Sequence, residues 1–209
     1  MSTKVTAIVP SKRVKDRYYL ELDGGAEKLT VTLNQIADYS LFTGKELSDE
    51  ELAALREDAL RATARKTALR ILGERNLSAR AITEKLICKG VPEETAQETA
   101  SWLEEIGAVN DAEYAAMIVR HYSEKHYGIT RIKDELFHRG IPRELWDDAL
   151  SNIEGGDDSA FKFLKIKLGG RMPDRAELKK ATDALFRRGF TWDEIRSAAQ
   201  RYKDENGDG

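Results

Sequence analysis

The side chains that most often perform catalysis or hold metal ions are few in this chain and poorly spaced for either task. The histidines are His121, His126 and His138, and the single cysteine is Cys88. His121 and His126 are five residues apart, which places them on different faces of a helix, and His138 falls in the next predicted helix. We therefore predict no catalytic residue, no metal site and no cofactor, and we expect Cys88 to pack as a small hydrophobic residue.

Motifs that cradle phosphate groups or build catalytic metal centres are also missing from the sequence. It contains no Gly-x-x-x-x-Gly-Lys-Ser/Thr, no strand followed by Gly-x-Gly-x-x-Gly and no His-Glu-x-x-His. A single cysteine excludes a disulfide framework, which favours a reducing compartment. No apolar run reaches the length of a signal peptide or a membrane-spanning helix, so we expect a cytoplasmic protein. An enzyme is the least favoured class.

Basic side chains are the chemical feature whose distribution suggests binding. The formal net charge of the chain is −3, yet residues 157–203 carry 12 basic and 7 acidic groups. A basic stripe on a helix can meet an acidic protein surface or DNA phosphates, and a solvated, ion-paired face is the alternative. The candidate partner-binding residues are Arg131, Lys133, Arg139, Lys162, Lys165, Lys167, Arg171, Lys179, Lys180, Arg187 and Arg188.

The elements that must position these residues begin with a small β-rich segment. The chain has 209 residues, of which 41% are hydrophobic and 34% charged, a composition that favours small modules. Apolar residues alternate with polar ones in three short runs, and Asp23-Gly24-Gly25 supplies residues suited to a tight connection between the last two. The runs are Val5, Ala7 and Val9, then Tyr18, Leu20 and Leu22, then Leu29, Val31 and Leu33.

An internal repeat governs the remainder of the chain. A leucine, a glycine and a following apolar residue recur three times, and the glycines lie 50 and 49 residues apart, the length of a small helical unit. The structural signature consists of Leu86, Gly90 and Val91, then Leu136, Gly140 and Ile141, then Leu185, Gly189 and Phe190.

This signature predicts three helices that end in a Schellman motif. A left-handed glycine at the C′ position places the leucine and the later apolar residue at the two positions that touch in that motif. We therefore expect Gly90→Ala and Gly140→Ala to destabilise the fold by about 1 to 2 kcal/mol, and Gly128→Ala to cost less. Pro92 and Pro142 suit the start of the next helix, and Thr191 with Glu194 offers a capping box instead.

The predicted fold is mainly α: three tandem three-helix repeats form an elongated array, preceded by a small N-terminal β-hairpin or three-stranded element. The domains are 1–47, 48–109, 110–155 and 156–203, followed by a disordered acidic tail, 204–209. Ser48 with Glu51 forms a capping box at the start of a long first helix. The helices are 48–75, 78–89, 92–105, 111–125, 129–139, 142–153, 157–168, 174–188 and 191–203.

The third helices of the first two repeats argue against a DNA reader of the Myb or homeodomain type, in which that helix enters the major groove. Residues 92–105 contain five acids and no basic residue, so phosphate groups would repel this helix. Trp102, Trp146 and Trp192 give one tryptophan per repeat, which does not match the Myb pattern. We expect these tryptophans to pack in the core or at an interface.

The sequence resembles the RecX family of bacterial regulators. The resemblance covers most of the chain, including an N-terminal segment similar to the extra hairpin of some members. The third repeat departs from the family pattern at Gly169-Gly170-Arg171-Met172-Pro173 and by having Thr191 in place of proline. The strongest matching stretches are Leu77-Ser78 through Lys89-Gly90-Val91, Asp111-Ala112-Glu113-Tyr114-Ala115, and Gly128-x-x-Arg131-Ile132-x-x-Glu135-Leu136-x-x-Arg139-Gly140-Ile141.

The resemblance implies a non-enzymatic modulator of the RecA recombinase, acting in DNA recombination, DNA repair and the SOS response. RecX-like proteins bind RecA or its filament on DNA, most often inhibiting strand exchange and ATP hydrolysis. We accordingly expect a monomer that binds RecA, no membrane contact, and direct DNA binding that is weak if it occurs. The alternative is a DNA-binding helical repeat protein that acts independently of RecA.

Overall fold

The computed structural model describes residues 2–151, 153 and 155–206. The chain divides into two compact units. The first comprises Met1–Asn76 and Ile82–Ile106, and the second comprises Leu77–Ala81 and Gly107–Gly209. The first unit contains the sheet, and the second contains the second and third repeats together with the segment that opens the second helix of the first repeat.

An antiparallel sheet of four strands opens the first unit. The strands are β1 (Ser2–Pro10), β2 (Tyr18–Leu22), β3 (Glu27–Val31) and β4 (Glu46–Ser48), in the order β3-β2-β1-β4. The first two predicted strands are confirmed. Asp23, Gly24 and Gly25 all have positive φ in the β2–β3 connection, as the sequence predicted. Strand β4, which pairs with residues 2–4 of β1, was not predicted.

The assignment of Leu33 to the third strand is wrong. Leu33 begins a short helix, α1 (Leu33–Asp38), because Thr32 and Gln35 form a capping box that ends the strand and starts the helix. The long helix α2 (Asp49–Leu72) begins with the predicted capping box of Ser48 and Glu51. Its first half buries Leu52 and Leu55 against the sheet.

Eight further helices follow in the described residues, and they match the predicted repeats closely. In the second repeat, the predicted helix 142–153 is instead a 3-10 turn, Arg143–Leu145, followed by a short helix. The helices are α3 (Ala79–Ile87), α4 (Glu93–Glu105), α5 (Asp111–Glu124), α6 (Ile129–His138), α7 (Trp146–Leu150), α8 (Gly156–Leu168), α9 (Arg175–Arg187) and α10 (Trp192–Asn206).

The last helix corrects the prediction of a disordered tail. Residues 204–206 belong to α10, in which the Gln200 side chain donates a hydrogen bond to Asp204 and the Asn206 side chain donates one to the carbonyl of Tyr202. The remainder of the predicted tail, residues 207–209, lies outside the described residues.

All three predicted Schellman motifs are present. The amides of Val91, Ile141 and Phe190 donate to the carbonyls of the signature leucines at 3.1, 3.0 and 3.3 Å, and each glycine amide donates to the carbonyl three residues earlier. The glycines have φ of 85°, 73° and 85°. The three leucines, Leu86, Leu136 and Leu185, are fully buried, so each helix end is also a point of core packing.

Two side chains differ from the predicted packing. Cys88 is exposed rather than packed, because the position two residues after the buried leucine Leu86 points away from the core. Trp192 is also exposed, whereas Trp102 and Trp146 are partly buried. The Trp146 indole donates a hydrogen bond to the Ile141 carbonyl at 3.1 Å, and Arg65 lies over the Trp102 ring.

The second and third repeats each have a hydrophobic core of their own. Helices α5 and α6 enclose Tyr114, Ile118, Ile132 and Leu136, and Trp146 packs against this cluster. In the third repeat, residues from α8, α9 and α10 surround Tyr202. The fully buried Tyr202 keeps its hydroxyl satisfied by donating to the Arg171 carbonyl at 3.0 Å.

Candidate partner-binding surface

The turn that ends α6 docks onto the start of α3 within the second unit. The hydroxyl of Ser78, which precedes α3, donates to the carbonyl of Arg139 at 2.6 Å and accepts from the Ala81 amide at 3.1 Å. The carboxylate of Asp111 accepts from the amide of Ala79 at 3.1 Å. Burial raises the pKa of Asp111, although its bond with this amide opposes the rise. Both side chains therefore cap α3 from a buried position.

The same docking recurs between the second and third repeats. The amide of Gly128, the residue before α6, donates to the carbonyl of Arg188 at 2.9 Å. The Arg188 guanidinium then donates to the carbonyl of Lys125 at 2.7 Å and lies over the rings of Tyr127 and Phe163. Arg188 thus satisfies a carbonyl that the end of α5 leaves free and fills the space between two repeats.

Arg139 also makes internal contacts, within its own repeat. Its guanidinium donates to Glu135 and to the hydroxyl of Tyr114, both at 2.7 Å. Burial alone would lower the pKa of Arg139, but these two bonds raise it. Burial opposes the effect of Arg139 on Glu135, whose pKa nevertheless falls below its ordinary value because of that hydrogen bond. The pKa of Tyr122 is raised by burial and by the Glu135 carboxylate.

Two more of the predicted cations are engaged by nearby acids. Lys165 pairs with Glu205 and lies over the ring of Phe161. Arg171 donates to both oxygens of Glu177, in the capping box at the start of α9. Of the predicted set, Arg139, Lys165, Arg171 and Arg188 therefore stabilise the fold in ways that sequence reasoning did not identify.

The other predicted cations are exposed on helices of the second and third repeats. Lys162 is exposed on α8. For six others, no carboxylate of the described residues lies within 4.0 Å, so their charges are available to a partner. These six are Arg131, Lys133, Lys167, Lys179, Lys180 and Arg187, and we call them the open cations.

Exposed aromatic rings lie beside the open cations and were missed by the sequence analysis. Phe137 on α6 is 54% exposed, and the equivalent residue Phe186 on α9 is 53% exposed. Trp192 is 58% exposed and stacks on Phe186 with ring centroids 5.1 Å apart. The position of Phe137 and Phe186 in the repeat could have revealed their exposure, because the residue directly after each buried signature leucine must point outward.

These rings and charges suit contact with a partner. Large aromatic side chains and arginine are enriched at protein interfaces, and the rim around such a core is polar. Within the described residues there is no group of three or more histidine, cysteine, aspartate or glutamate side chains that could hold a metal ion. No helix in this part of the chain is long and apolar enough to cross a membrane.

Comparison with known families agrees with this arrangement. Residues 110–150 match the family model described as RecX, second three-helix domain. The fold and this match define a class of proteins built from tandem three-helix units.

Sequence relatives define the family. A regulatory protein RecX from Stenotrophomonas maltophilia strain R551-3 is 34% identical over 140 residues, which cover 66% of this chain and 86% of the relative. One from Streptococcus gordonii is 29% identical over 201 residues, 94% of this chain and 76% of the relative. This chain belongs to the RecX family.

Solved structures agree with the fold over nearly the whole chain. A crystal structure of regulatory protein RecX has a TM-score of 0.69 and 28% sequence identity, covering 97% of this chain and 99% of the other. RecX from Lactobacillus salivarius has a TM-score of 0.58 at 21% identity, covering 69% of this chain and 97% of the other, and shows the fold alone.

Proposed function

We propose that this chain binds the RecA filament and inhibits its recombinase and ATPase activities without catalysing a reaction itself. Family membership supports a regulatory role in the RecA system. The observation that carries the proposal is the combination of open cations and exposed aromatic rings on α6 and α9. Such a role would place the protein in the cytoplasm, in DNA recombination and repair and in the SOS response.

The proposed contact uses the aromatic rings as anchors and the open cations as the surrounding charged rim. Burying Phe137, Phe186 and Trp192 against a partner would remove apolar area from water, which is the main source of affinity at protein interfaces. Open cations around these rings favour a partner surface that carries acids, and they accelerate association more than they strengthen it. The contribution of each single charge is therefore small.

Charge reversal of the open cations tests this surface. We expect the combined variant Lys133→Glu, Lys179→Glu, Lys180→Glu and Arg187→Glu to weaken sedimentation with preassembled RecA filaments by about tenfold or more, equivalent to about 1.4 kcal/mol. Arg139 and Arg188 are left unchanged because their internal contacts stabilise the fold. The helix content from circular dichroism should equal that of the wild type.

A control reverses three exposed acids in the first repeat, with Glu93→Lys, Glu94→Lys and Glu105→Lys. We expect this control to sediment with filaments and to inhibit RecA as the wild type does. If it loses inhibition while the open-cation variant retains it, the proposed surface is wrong. Sedimentation with bare single-stranded DNA serves as the second control. Equal binding with and without RecA would support the alternative, a DNA-binding protein that acts independently of RecA.

A further inference from the structure

The loop between β1 and β2 carries a concentrated positive charge that the proposed RecA contact does not use. Four of the eight basic residues in the first sixty positions lie in a six-residue segment of this loop, residues 12–17, in which Asp16 is the only acid. In the part of the chain that the structure describes, none of the four has a carboxylate within ion-pair distance. The four cations are Lys12, Arg13, Lys15 and Arg17.

Backbone hydrogen bonds hold this loop in a defined conformation. The amide of Ser11 donates to the carbonyl of Arg17 at 2.8 Å and closes the loop. The Ser11 hydroxyl accepts from the amides of Arg13 and Val14 at 3.4 and 3.3 Å. Val14 is partly buried, whereas Lys12, Arg13 and Lys15 are exposed. Because the backbone is already ordered, binding through these cations would cost little conformational entropy of the loop.

A shallow depression beside the loop adds hydrogen-bond donors. Arg17 lines it together with Thr30 of β3 and with Thr63 and Lys66 of α2, and Asp16 is the only acid in its lining. Guanidinium, ammonium and hydroxyl groups are the side-chain donors that proteins use to bind phosphate oxygens. Lys66 is exposed and has no carboxylate of the described residues within ion-pair distance. The depression therefore extends the positive surface of the loop from the sheet to α2.

The chemistry of this surface favours nucleic acid over a protein or a membrane. A protein interface would need aromatic or aliphatic anchors within the loop, and insertion into a membrane would need exposed apolar residues there. The loop's one apolar side chain, Val14, is partly buried. Tyr19, next to the loop on β2, is 38% exposed and offers a ring on which a base can stack. Cations beside an aromatic ring are the usual combination for binding single strands.

We propose that the β1–β2 loop and the adjoining depression form a binding site for single-stranded DNA, with phosphates on Lys12, Arg13, Lys15, Arg17 and Lys66 and a base on Tyr19. This site includes none of the open cations. It gives the N-terminal sheet a function of its own, and its test requires no RecA.

The test measures binding of the full chain to a fluorescein-labelled oligothymidylate by fluorescence anisotropy at several salt concentrations. The variant Lys12→Glu, Arg13→Glu and Lys15→Glu should bind about tenfold more weakly or worse. Three lost phosphate contacts should also reduce the slope of log affinity against log salt by about 2. A neutral variant with glutamine at the same three positions should show a smaller loss of affinity and a similar change in slope.

The matched control removes the same charge elsewhere, with Arg75→Glu, Arg120→Glu and Arg175→Glu. These arginines are exposed and have no carboxylate of the described residues within ion-pair distance. We expect the control to keep the wild-type slope and affinity within about twofold. Unchanged binding by the loop variants would overturn the proposal, as would an equal loss in the control. If the loop variants keep DNA binding but lose filament binding, the loop contacts a protein instead.

Discussion

The turns at Gly90 and Gly189 have the same local structure in different surroundings. Both glycines have φ of 85°, and in both turns a following amide donates to the carbonyl of the signature leucine. A β-carbon added at Gly90 would have no atom of its surroundings within 4 Å, whereas one at Gly189 would lie 2.5 Å from the backbone nitrogen of Arg131. The repeat signature therefore determines how a helix ends. Docking of one repeat on another adds a separate requirement at Gly189, where no space remains for a side chain.

The third repeat differs from the first two at the position that makes this docking contact. Ser78, Gly128 and Glu177 each lie eight residues before their signature leucine. Ser78 and Gly128 are buried and bind the turn of the next repeat, whereas Glu177 lies inside α9 and is held by Arg171. Helix α9 begins three residues earlier, relative to its leucine, than α3 and α6. In the third repeat, an additional helical turn with charged side chains thus occupies the position that contacts a neighbouring turn in the first two repeats.

The largest expected effect comes from breaking the crowded turn. Gly189→Ala must place a β-carbon in the left-handed region and against the backbone of Arg131, so the free energy of unfolding should fall by about 3 to 5 kcal/mol. Gly90→Ala should lower the free energy of unfolding by about 1 to 2 kcal/mol, because it only places a β-carbon in the left-handed region. Urea unfolding of both variants, followed by circular dichroism, measures the difference. Equal losses would mean that docking does not constrain the turn at Gly189.

Gly128→Ala sharpens the comparison, because Gly128 has an extended backbone with a φ of −74° and therefore no left-handed strain. Its added β-carbon would overlap the carbonyl group of Gly189 and the amide of Phe190, both backbone groups. We expect a loss of about 2 to 3 kcal/mol from overpacking alone. The sequence predicted that this variant would cost less than Gly90→Ala, and the structure reverses that order. A urea midpoint for Gly128→Ala above that of Gly90→Ala would contradict the docking seen here.

Much of the fold could be predicted because its signals are local. The capping box at Ser48, the leucine and glycine of each repeat, and the hydrophobic periods of the helices all act within a few residues. Strand β4 was missed because its three residues pair with the start of β1, more than forty positions away. The capping box of Thr32 and Gln35 was a local signal that the alternation of apolar residues concealed.

The contacts of the predicted binding residues were less predictable, because a sequence shows charges without showing which groups they contact. Arg139 and Arg188 occupy the same repeat position and were both assigned to partner binding. Their guanidinium groups instead reach Tyr114, 25 residues away, and the carbonyl of Lys125, 63 residues away. The outward position of Phe137 and Phe186 followed directly from the repeat, but the stacking of Trp192 on Phe186 depends on how α10 packs on α9.

The smallest predicted effect concerns the charge pair that orders the turn of the second repeat. Glu135→Gln weakens the hydrogen bond with Arg139, and we expect a loss of about 1 kcal/mol at neutral pH, because Arg139 is partly exposed to solvent. Folding holds the pKa of Glu135 below its ordinary value of 4.5, so the folded chain releases this proton more readily than the unfolded chain. The stabilisation by the Glu135–Arg139 pair is therefore complete above the pKa of Glu135 in the unfolded chain. It is lost as the pH falls through the pKa of Glu135 in the folded chain.

Thermal unfolding of the wild type and Glu135→Gln between neutral and acidic pH measures this dependence. The difference in melting temperature should be largest near neutrality and should shrink as the pH falls below 4.5, because the wild type then protonates Glu135 and loses the same interaction. Glu144→Gln is the control, since Glu144 is exposed and has no basic side chain of the described residues within ion-pair distance. A difference that grows toward acidic pH would show that Glu135 is protonated more easily in the folded chain, and the pair with Arg139 would then not stabilise the turn.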